Sequence, residues 1–328
     1  MEDIKLLSIC IPTFNRPALL KRCILSVINQ NFGRFFDLEI IISDDSINDS
    51  SQKEIKDLLD THSYISYRRN ENDPSIHKES KQAANFNRLI SMAKGKYIYI
   101  LHDDDYMVEG GLNIVFSEID SMPDNNNNLI VFSVNIVNSL GKILRKHQLQ
   151  SRVFEKNEGF RQIINNSSLV RTPGVIINSQ VYKKIGNYNL ERRIPLDYDM
   201  WIRASANYKL RTSSKIIANY TIHNQTQTMQ MFTKETLDIL KDIFSEAKKY
   251  EILKEPEFAK CQSNFFYKWI LAGTYRQLKN FRFFEGLKIF VLFKDKDLGF
   301  LKPDLKWSFL KAFFSFILIP LSFFNRNV

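Results

Sequence analysis

Three consecutive carboxylates, Asp103, Asp104 and Asp105, stand directly after the apolar run Tyr97-Ile98-Tyr99-Ile100-Leu101-His102. Like charges side by side repel one another unless a cation sits among them. Hard divalent ions such as Mg2+ or Mn2+ take carboxylate oxygens and commonly share them with substrate phosphates. A solvated acidic turn is the bland alternative, but such a turn needs no strand feeding it. A second acidic pair, Asp44 and Asp45, closes the apolar run 38–43. A third pair, Asp197 and Asp199, stands at the start of a helical pattern carrying Met200, Trp201 and Ile202. A carboxylate at that place is ordinarily a cap. His223 follows a strand-like run, 216–222, and a lone histidine is as readily structural as functional.

These groups reach one another only if strands deliver them. Residues 6–11 form a first strand, apolar enough to be buried on both faces. It ends at Pro12-Thr13-Phe14-Asn15-Arg16-Pro17, and Pro17 starts a helix with Asn15 or Arg16 near its cap. Leu19, Leu20, Cys23, Ile24, Val27 and Ile28 follow at helical spacing. A strand over 38–43, a helix over 52–60, a short strand over 65–69 and a helix over 78–93 lead to the strand before the three carboxylates. This alternation predicts a parallel sheet with helices on both faces. In such sheets ligands gather outside the carboxyl ends of the strands, so both acidic clusters are expected on one edge. Neither GxGxxG nor GxxxxGK occurs, so a nucleotide's charge must be met by metal and side chains. Further on, a helix over 110–122, a strand over 129–138 with a return to 144, and a strand over 171–177 are expected. Residues 233–293 read as mostly helical, their aromatics Phe265, Phe266, Tyr267, Trp269 and Tyr275 packing helices together.

The chain has 328 residues with 44% hydrophobic and 25% charged, which excludes a disordered or fibrous class and allows a sizeable core. Cys10, Cys23 and Cys261 show neither metal-site nor redox spacing, and buried thiols in a reducing compartment are expected. Glu2 and Asp3 stand where a secretory leader would be basic. Net charge is +10, and residues 241–328 carry 16 Lys and Arg against 9 Asp and Glu. A basic C-terminal region suits an anionic surface such as a membrane; with no nucleic-acid motif beside it, no nucleic-acid partner is expected.

The motifs together resemble those of a family 2 glycosyltransferase of the GT-A fold, over roughly residues 4–230. The resemblance is carried by Ile11-Pro12-Thr13-Phe14-Asn15-Arg16, by Ser43-Asp44-Asp45-Ser46-Ile47-Asn48-Asp49, and by Ala84-Asn85-Phe86-Asn87 with 93–98. It continues in His102-Asp103-Asp104-Asp105-Tyr106 at the place of the DxD motif, Leu196-Asp197-Tyr198-Asp199-Met200-Trp201 at the ED motif, and His223 where many members carry a late histidine. It implies an α/β fold, a mainly parallel mixed sheet flanked by helices, to which the helical reading beyond residue 230 adds a C-terminal helical extension. It also implies inverting transfer from a nucleoside-diphosphate sugar, most commonly a UDP-sugar, to a saccharide hydroxyl, with Mn2+ or Mg2+. By carry-over, Pro12, Thr13, Asn15, Arg16, Asp44, Asp45, Asn87 and Asp103 line the donor pocket. Asp104, Asp105 and His223 hold metal, and Asp197 is the general base. Asp199, Trp201 and Gly174 position the acceptor. His102 stands where many members have the first Asp of a D-x-D-D run, and Leu196 where they often have Glu.

Residues 307–324 are rich in Phe, Leu and Ile. Ser308, Lys311, Ser315 and Ser322 share a wedge of about 60° at roughly 100° per residue. One polar stripe on an apolar helix fits a helix lying in the membrane interface, and packing on the protein's own domain is the alternative. Lys311 and Pro320 count against a span. The expected organisation is a catalytic domain over 1–230, a helical region over 231–300 and a membrane-associating tail over 301–328. It suits a polyprenyl-diphosphate-linked acceptor and a cytoplasmic protein at the inner face of the cell membrane. Two other readings compete. A nucleotidyltransferase of similar fold would carry a glycine- and Lys/Arg-rich loop after the first strand, where residues 12–17 have no glycine and one Arg. A non-catalytic membrane-associated binding protein would lose neither activity nor ligand binding with Asp104 or Asp197.

Overall fold

A computed structural model describes residues 6–34, 37–71, 73–121, 128–222, 231–299 and 301–322. The chain divides into two compact units, one of Met1–Lys156 with Val170–His223, the other of Asn157–Leu169 with Asn224–Val328.

The first unit opens with β1 (Leu7–Thr13), α1 (Pro17–Ile28), β2 (Leu38–Asp44), α2 (Ser50–Glu54), α3 (Lys56–Thr61), β3 (Ile65–Arg69), α4 (Lys81–Met92) and β4 (Tyr97–Ile100). Next come β5 (Tyr106–Met107), α5 (Gly111–Asp120), β6 (Leu129–Asn138), β7 (Ile143–His147) and β8 (Arg152–Phe154). Then α6 (Lys156–Asn165) contributes to the second unit, and β9 (Val175–Asn178), α7 (Ser179–Ile185), α8 (Leu196–Asn207) and β10 (Leu210–Ile222) complete the first. α1 starts where Pro17, lacking an N–H, costs nothing, and it buries Leu20, Cys23, Ile24 and Val27 along one stripe. Arg16 is its N-cap residue but makes no side-chain cap bond; its guanidinium is used elsewhere.

One mixed sheet runs β3-β2-β1-β4-β9-β6-β10-β5. β1 pairs parallel with both β2 and β4, β2 pairs parallel with β3, and β6 pairs parallel with β10. β9 runs antiparallel to β4 and β6. Counting directions across, β1, β2, β4, β6 and β10 all point one way, so their carboxyl ends share an edge. The expected edge for both acidic clusters is the observed one. Buried Ile9, Ile11, Ile40, Ile42, Tyr99 and Phe132 belong to the core beneath it.

The stretch 171–177 is not all strand. Residues Thr172–Gly174 form a 3-10 turn, with Pro173 in its first turn, before β9 begins. Gly174 lies against β6: a Cβ there would come 2.6 Å from the Phe132 carbonyl oxygen and 3.0 Å from Val134 Cγ1. The short helices α6 and α7 and the strands β5 and β8 have too few periodic residues to be read from sequence.

The second unit adds α9 (Lys234–Lys248), α10 (Glu255–Lys279), α11 (Phe283–Phe290) and α12 (Leu305–Ser322). Phe244 stacks among Phe258, Phe265 and Phe266, with ring centroids 4.9–6.2 Å apart. Trp269 is buried as expected, whereas Tyr275 is 57% exposed. α12 packs through Phe314 and Leu318, and its Lys311 ammonium lies over the rings of Phe293 and Tyr267. Leu305, Phe309, Phe313 and Phe316 face away, 53–89% exposed. Of the polar stripe, Lys311 and Ser315 are half-buried against their own unit while Ser308 is exposed, and much of the apolar side faces outward. Among the described residues no helix is long and apolar enough to cross a membrane. All three cysteines are buried free thiols.

Candidate active site

The end of β1 organises one half of the site. Thr13 Oγ1 donates to Asp103 Oδ2 at 2.7 Å, and Arg16 Nη1 reaches Asp103 Oδ1 at 3.2 Å and Asp104 Oδ2 at 3.0 Å. Asn15 takes a positive φ of 53°, a conformation Asn tolerates better than most residues. Its N–H donates to Ser46 Oγ and its Oδ1 accepts from the Ile47 N–H, joining the loops after β1 and β2. Half-buried Pro12 pairs with Ser43 in the register of the two strands.

The two carboxylates after β2 are unequal. Asp44 is fully buried; Oδ1 accepts from the Ser46 N–H and Oδ2 from the Tyr67 hydroxyl, both at 2.7 Å. Both oxygens are thus committed to the fold. Asp45 is held at Oδ1 by Asn70 Nδ2 at 2.8 Å and Arg88 Nη1 at 3.0 Å. That leaves Oδ2 to meet a ligand. The motif on α4 serves as a pair of ties: Asn85 donates to the Ser43 carbonyl, and Asn87 exchanges two hydrogen bonds with the Tyr188 backbone. Asn87 therefore spends its amide on the loop before α8.

The three carboxylates after β4 differ as well. Asp105 is 1% exposed; Oδ1 accepts from the Thr221 N–H of β10 at 2.8 Å, and the shielded Oδ2 meets no partner. Burial first, then the neighbouring Asp104, pushes its carboxyl well above the usual range. Burial also raises Asp103, against the pull of Arg16. Arg22 donates to the Asp104 carbonyl at 2.6 Å and stacks on the Tyr106 ring. Among the described residues, ligand atoms of His102, Asp104 and Asp105 lie within 4.8 Å of one another. His102 Nε2, like Asp105 Oδ2, is shielded and unpartnered. Two orphaned polar atoms in a cluster of excess negative charge fit a divalent cation. Its charge would reverse the upward shifts. His223 lies outside the described residues.

Asp197 sits in the first turn of α8 and caps nothing. Its Oδ2 accepts from Thr172 Oγ1 at 2.9 Å; Oδ1 is shielded and has no partner. Desolvation raises its carboxyl above the usual range, while the nearby charge of a protonated His102 would lower it. Asp199 is instead a structural anchor. It pairs with Arg203 at 2.7 Å and Arg192 at 3.3 Å, and Arg203 donates onward to the carbonyls of Ile185, Gly186 and Asn187. Trp201 is 6% exposed, edge-on to Tyr198. Gly174 supplies close packing beside Thr172. Reading the sequence alone passes over Thr172, Thr221, Arg22, Asn70 and Arg88, because none belongs to a motif. Arg88 lies one turn from Asn85 on α4, the single signal that could have found it.

The description "Glycosyl transferase family 2" matches residues 8–189. An uncharacterised glycosyltransferase of Methanocaldococcus jannaschii is 27% identical over 238 residues, 72% of this chain and 77% of that protein. The GalNAc(5)-diNAcBac-PP-undecaprenol beta-1,3-glucosyltransferase of Campylobacter jejuni is 35% identical over 112 residues, 34% of each chain. The match thus spans about a third of that enzyme. Among solved structures, S. aureus TarS in complex with UDP-GlcNAc superposes with a TM-score of 0.60 at 14% identity, covering 87% of this chain and 81% of that one. At that identity the likeness speaks for the fold, which is GT-A.

Proposed function

The chain belongs to glycosyl transferase family 2, and from that premise we propose that it moves a sugar, with inversion, from a nucleoside-diphosphate sugar to a hydroxyl of a lipid-linked saccharide. The donor class is a UDP-sugar. The acceptor class is a polyprenyl-diphosphate-linked glycan of surface-polysaccharide assembly, met at the inner face of the cell membrane. The observation that carries the reading is Asp197: a carboxylate with one oxygen pinned by Thr172, the other unpartnered, within the field of His102 beside the acidic cluster.

Asp197 Oδ1 takes the proton of the acceptor hydroxyl as that oxygen attacks the anomeric carbon. A positioned carboxylate is worth about 10²–10⁴-fold in such a step. Thr172 fixes which oxygen is free. Single displacement puts the base and the leaving group on opposite faces of the sugar, so no carboxylate nucleophile is needed. Asp45 accepts a hydrogen bond from the base of the nucleotide, with Asn70 and Arg88 holding it in place. Thr13 and Arg16 hold Asp103 against the ribose side of the donor. Asp104 and Asp105 would hold Mn2+ or Mg2+, which would supply positive charge to offset that of the departing diphosphate. His223 is proposed to approach the same group.

The test is a sugar-nucleotide panel with Mn2+ or Mg2+, reading nucleoside diphosphate release with membrane extract as acceptor. Metal-dependent release from one donor is the expected result. Failure of every donor to bind or turn over would overturn the reading in favour of a binding protein.

The exposed apolar side of α12 supports membrane docking of the tail, beside a C-terminal region rich in Lys and Arg. Burying each Phe in the lipid interface is worth on the order of 1.5–3 kcal/mol. The doubly substituted Phe309→Glu/Phe316→Glu protein is therefore expected to lose at least tenfold in binding to phosphatidylcholine vesicles containing phosphatidylglycerol, measured by flotation. Wild-type protein that stays with the soluble fraction at low salt would remove the membrane from the reading.

A further inference from the structure

We propose that His102 is itself a cation ligand, so that the metal centre is a mixed nitrogen–oxygen site of His102, Asp104 and Asp105 that favours Mn2+ over Mg2+. The inference rests on the glycosyltransferase reading and refines its metal.

Three observations carry it. First, ligand atoms of these three side chains lie within 4.8 Å of one another. Opposed ligands of a small divalent ion, at bonds of about 2.1 Å, lie about 4.2 Å apart, so the cluster needs only slight closure. Second, the buried Asp105 Oδ2 and the shielded His102 Nε2 both lack a hydrogen-bond partner. Left without a cation, each is an uncompensated polar atom in a fold that satisfies most others. Third, Asp103 is otherwise engaged. Both of its oxygens are taken by Thr13 and Arg16, which leaves His102 to complete a set that Asp103 does not enter. The imidazole is also positioned by its own chain: its carbonyl accepts from Cys23 Sγ and from the Asp105 N–H, and its ring lies 5.5 Å from Phe86.

Ligand chemistry then sets the metal. Mg2+ binds oxygen and holds its water shell tightly, whereas imidazole suits first-row transition ions. A histidine in the set shifts preference toward Mn2+ and heavier ions.

The test is electron spin-echo spectroscopy of Mn2+ on the full chain, alone and with UDP, GDP or CDP. Nitrogen coupling from one imidazole is expected in the wild type and absent in His102→Asp. In titrations, His102→Asp is expected to move the Mn2+/Mg2+ affinity ratio at least tenfold toward Mg2+, with its circular dichroism unchanged. Mn2+ that binds, depends on Asp104 and shows no nitrogen coupling would overturn the role of His102 while leaving the metal-dependent reading intact. Failure of the wild type to bind Mn2+ with any nucleotide would overturn both.

Discussion

Asp197→Asn is expected to lower transfer by about 10²–10⁴-fold while leaving donor binding within about twofold. Asn keeps the shape and can still accept from Thr172, so the loss isolates proton transfer. The pH dependence follows from burial. The Asp197 carboxyl is raised by desolvation and only partly relieved by His102 and Thr172. In the metal-free protein the Asp197 carboxyl should therefore titrate above the ordinary aspartate value of about 3.9, displaced toward neutral pH. The same shift fixes a sign for stability. A folded pKa above the unfolded one means the native state binds the proton more tightly. Stability then falls as pH rises from the ordinary aspartate range through the raised value, and the full cost is present above that value. Asp197→Asn removes that cost, so its melting temperature should exceed the wild type's at neutral pH, with the gain shrinking as pH falls through the raised value and gone below about pH 4. An active Asp197→Asn enzyme would sink the assignment. A variant less stable than wild type at neutral pH would show that Oδ1 has a compensating partner.

What could be read in advance was whatever depends on short-range pattern. The apolar runs ending in Asp44-Asp45 and Asp103-Asp104-Asp105 became parallel strands flanking β1, so two acidic clusters on one edge were legible from alternation alone. Pro17 and the spacing of Leu20, Cys23, Ile24 and Val27 were enough for α1. What could not be read was which carboxylate oxygens would be used up by the fold. Asp44 and Asp45 look alike in the sequence, yet Tyr67 takes an oxygen of the first and Arg88 an oxygen of the second. Asn87 meets its partner 101 residues away, and no local signal reports such a contact. Thr172 meets Asp197 because Gly174 lets the 3-10 turn lie against β6, a consequence of backbone packing. Asp199 was half legible: Arg203 stands four residues on, the spacing at which helical ion pairs form.

Asp104→Ala is expected to lower metal-dependent transfer at least about 10²-fold and to weaken nucleotide binding in the presence of Mn2+. The three carboxylates predict different outcomes because the fold uses them differently. Asp103 is spent on Thr13 and Arg16, so Asp103→Asn should disturb the donor pocket even without metal. Asp105 is tied to β10 through Thr221 and offers its second oxygen. Asp104 has its side chain 14% exposed against 6% for Asp103, and its contact to Arg16 duplicates one that Asp103 already makes. Removing it takes away one ion pair but also relieves repulsion on both neighbours. The melting temperature without metal should therefore change little, and the lost activity reports the cation alone. Raising Mn2+ should restore part of the Asp104→Ala rate, because losing one ligand weakens a site without abolishing it. No such rescue is expected for Asp197→Asn, whose defect lies in proton transfer. Activity in Asp104→Ala that survives chelation of divalent ions would exclude a metal from this reaction and leave Arg16 and Arg22 as the groups that meet the diphosphate.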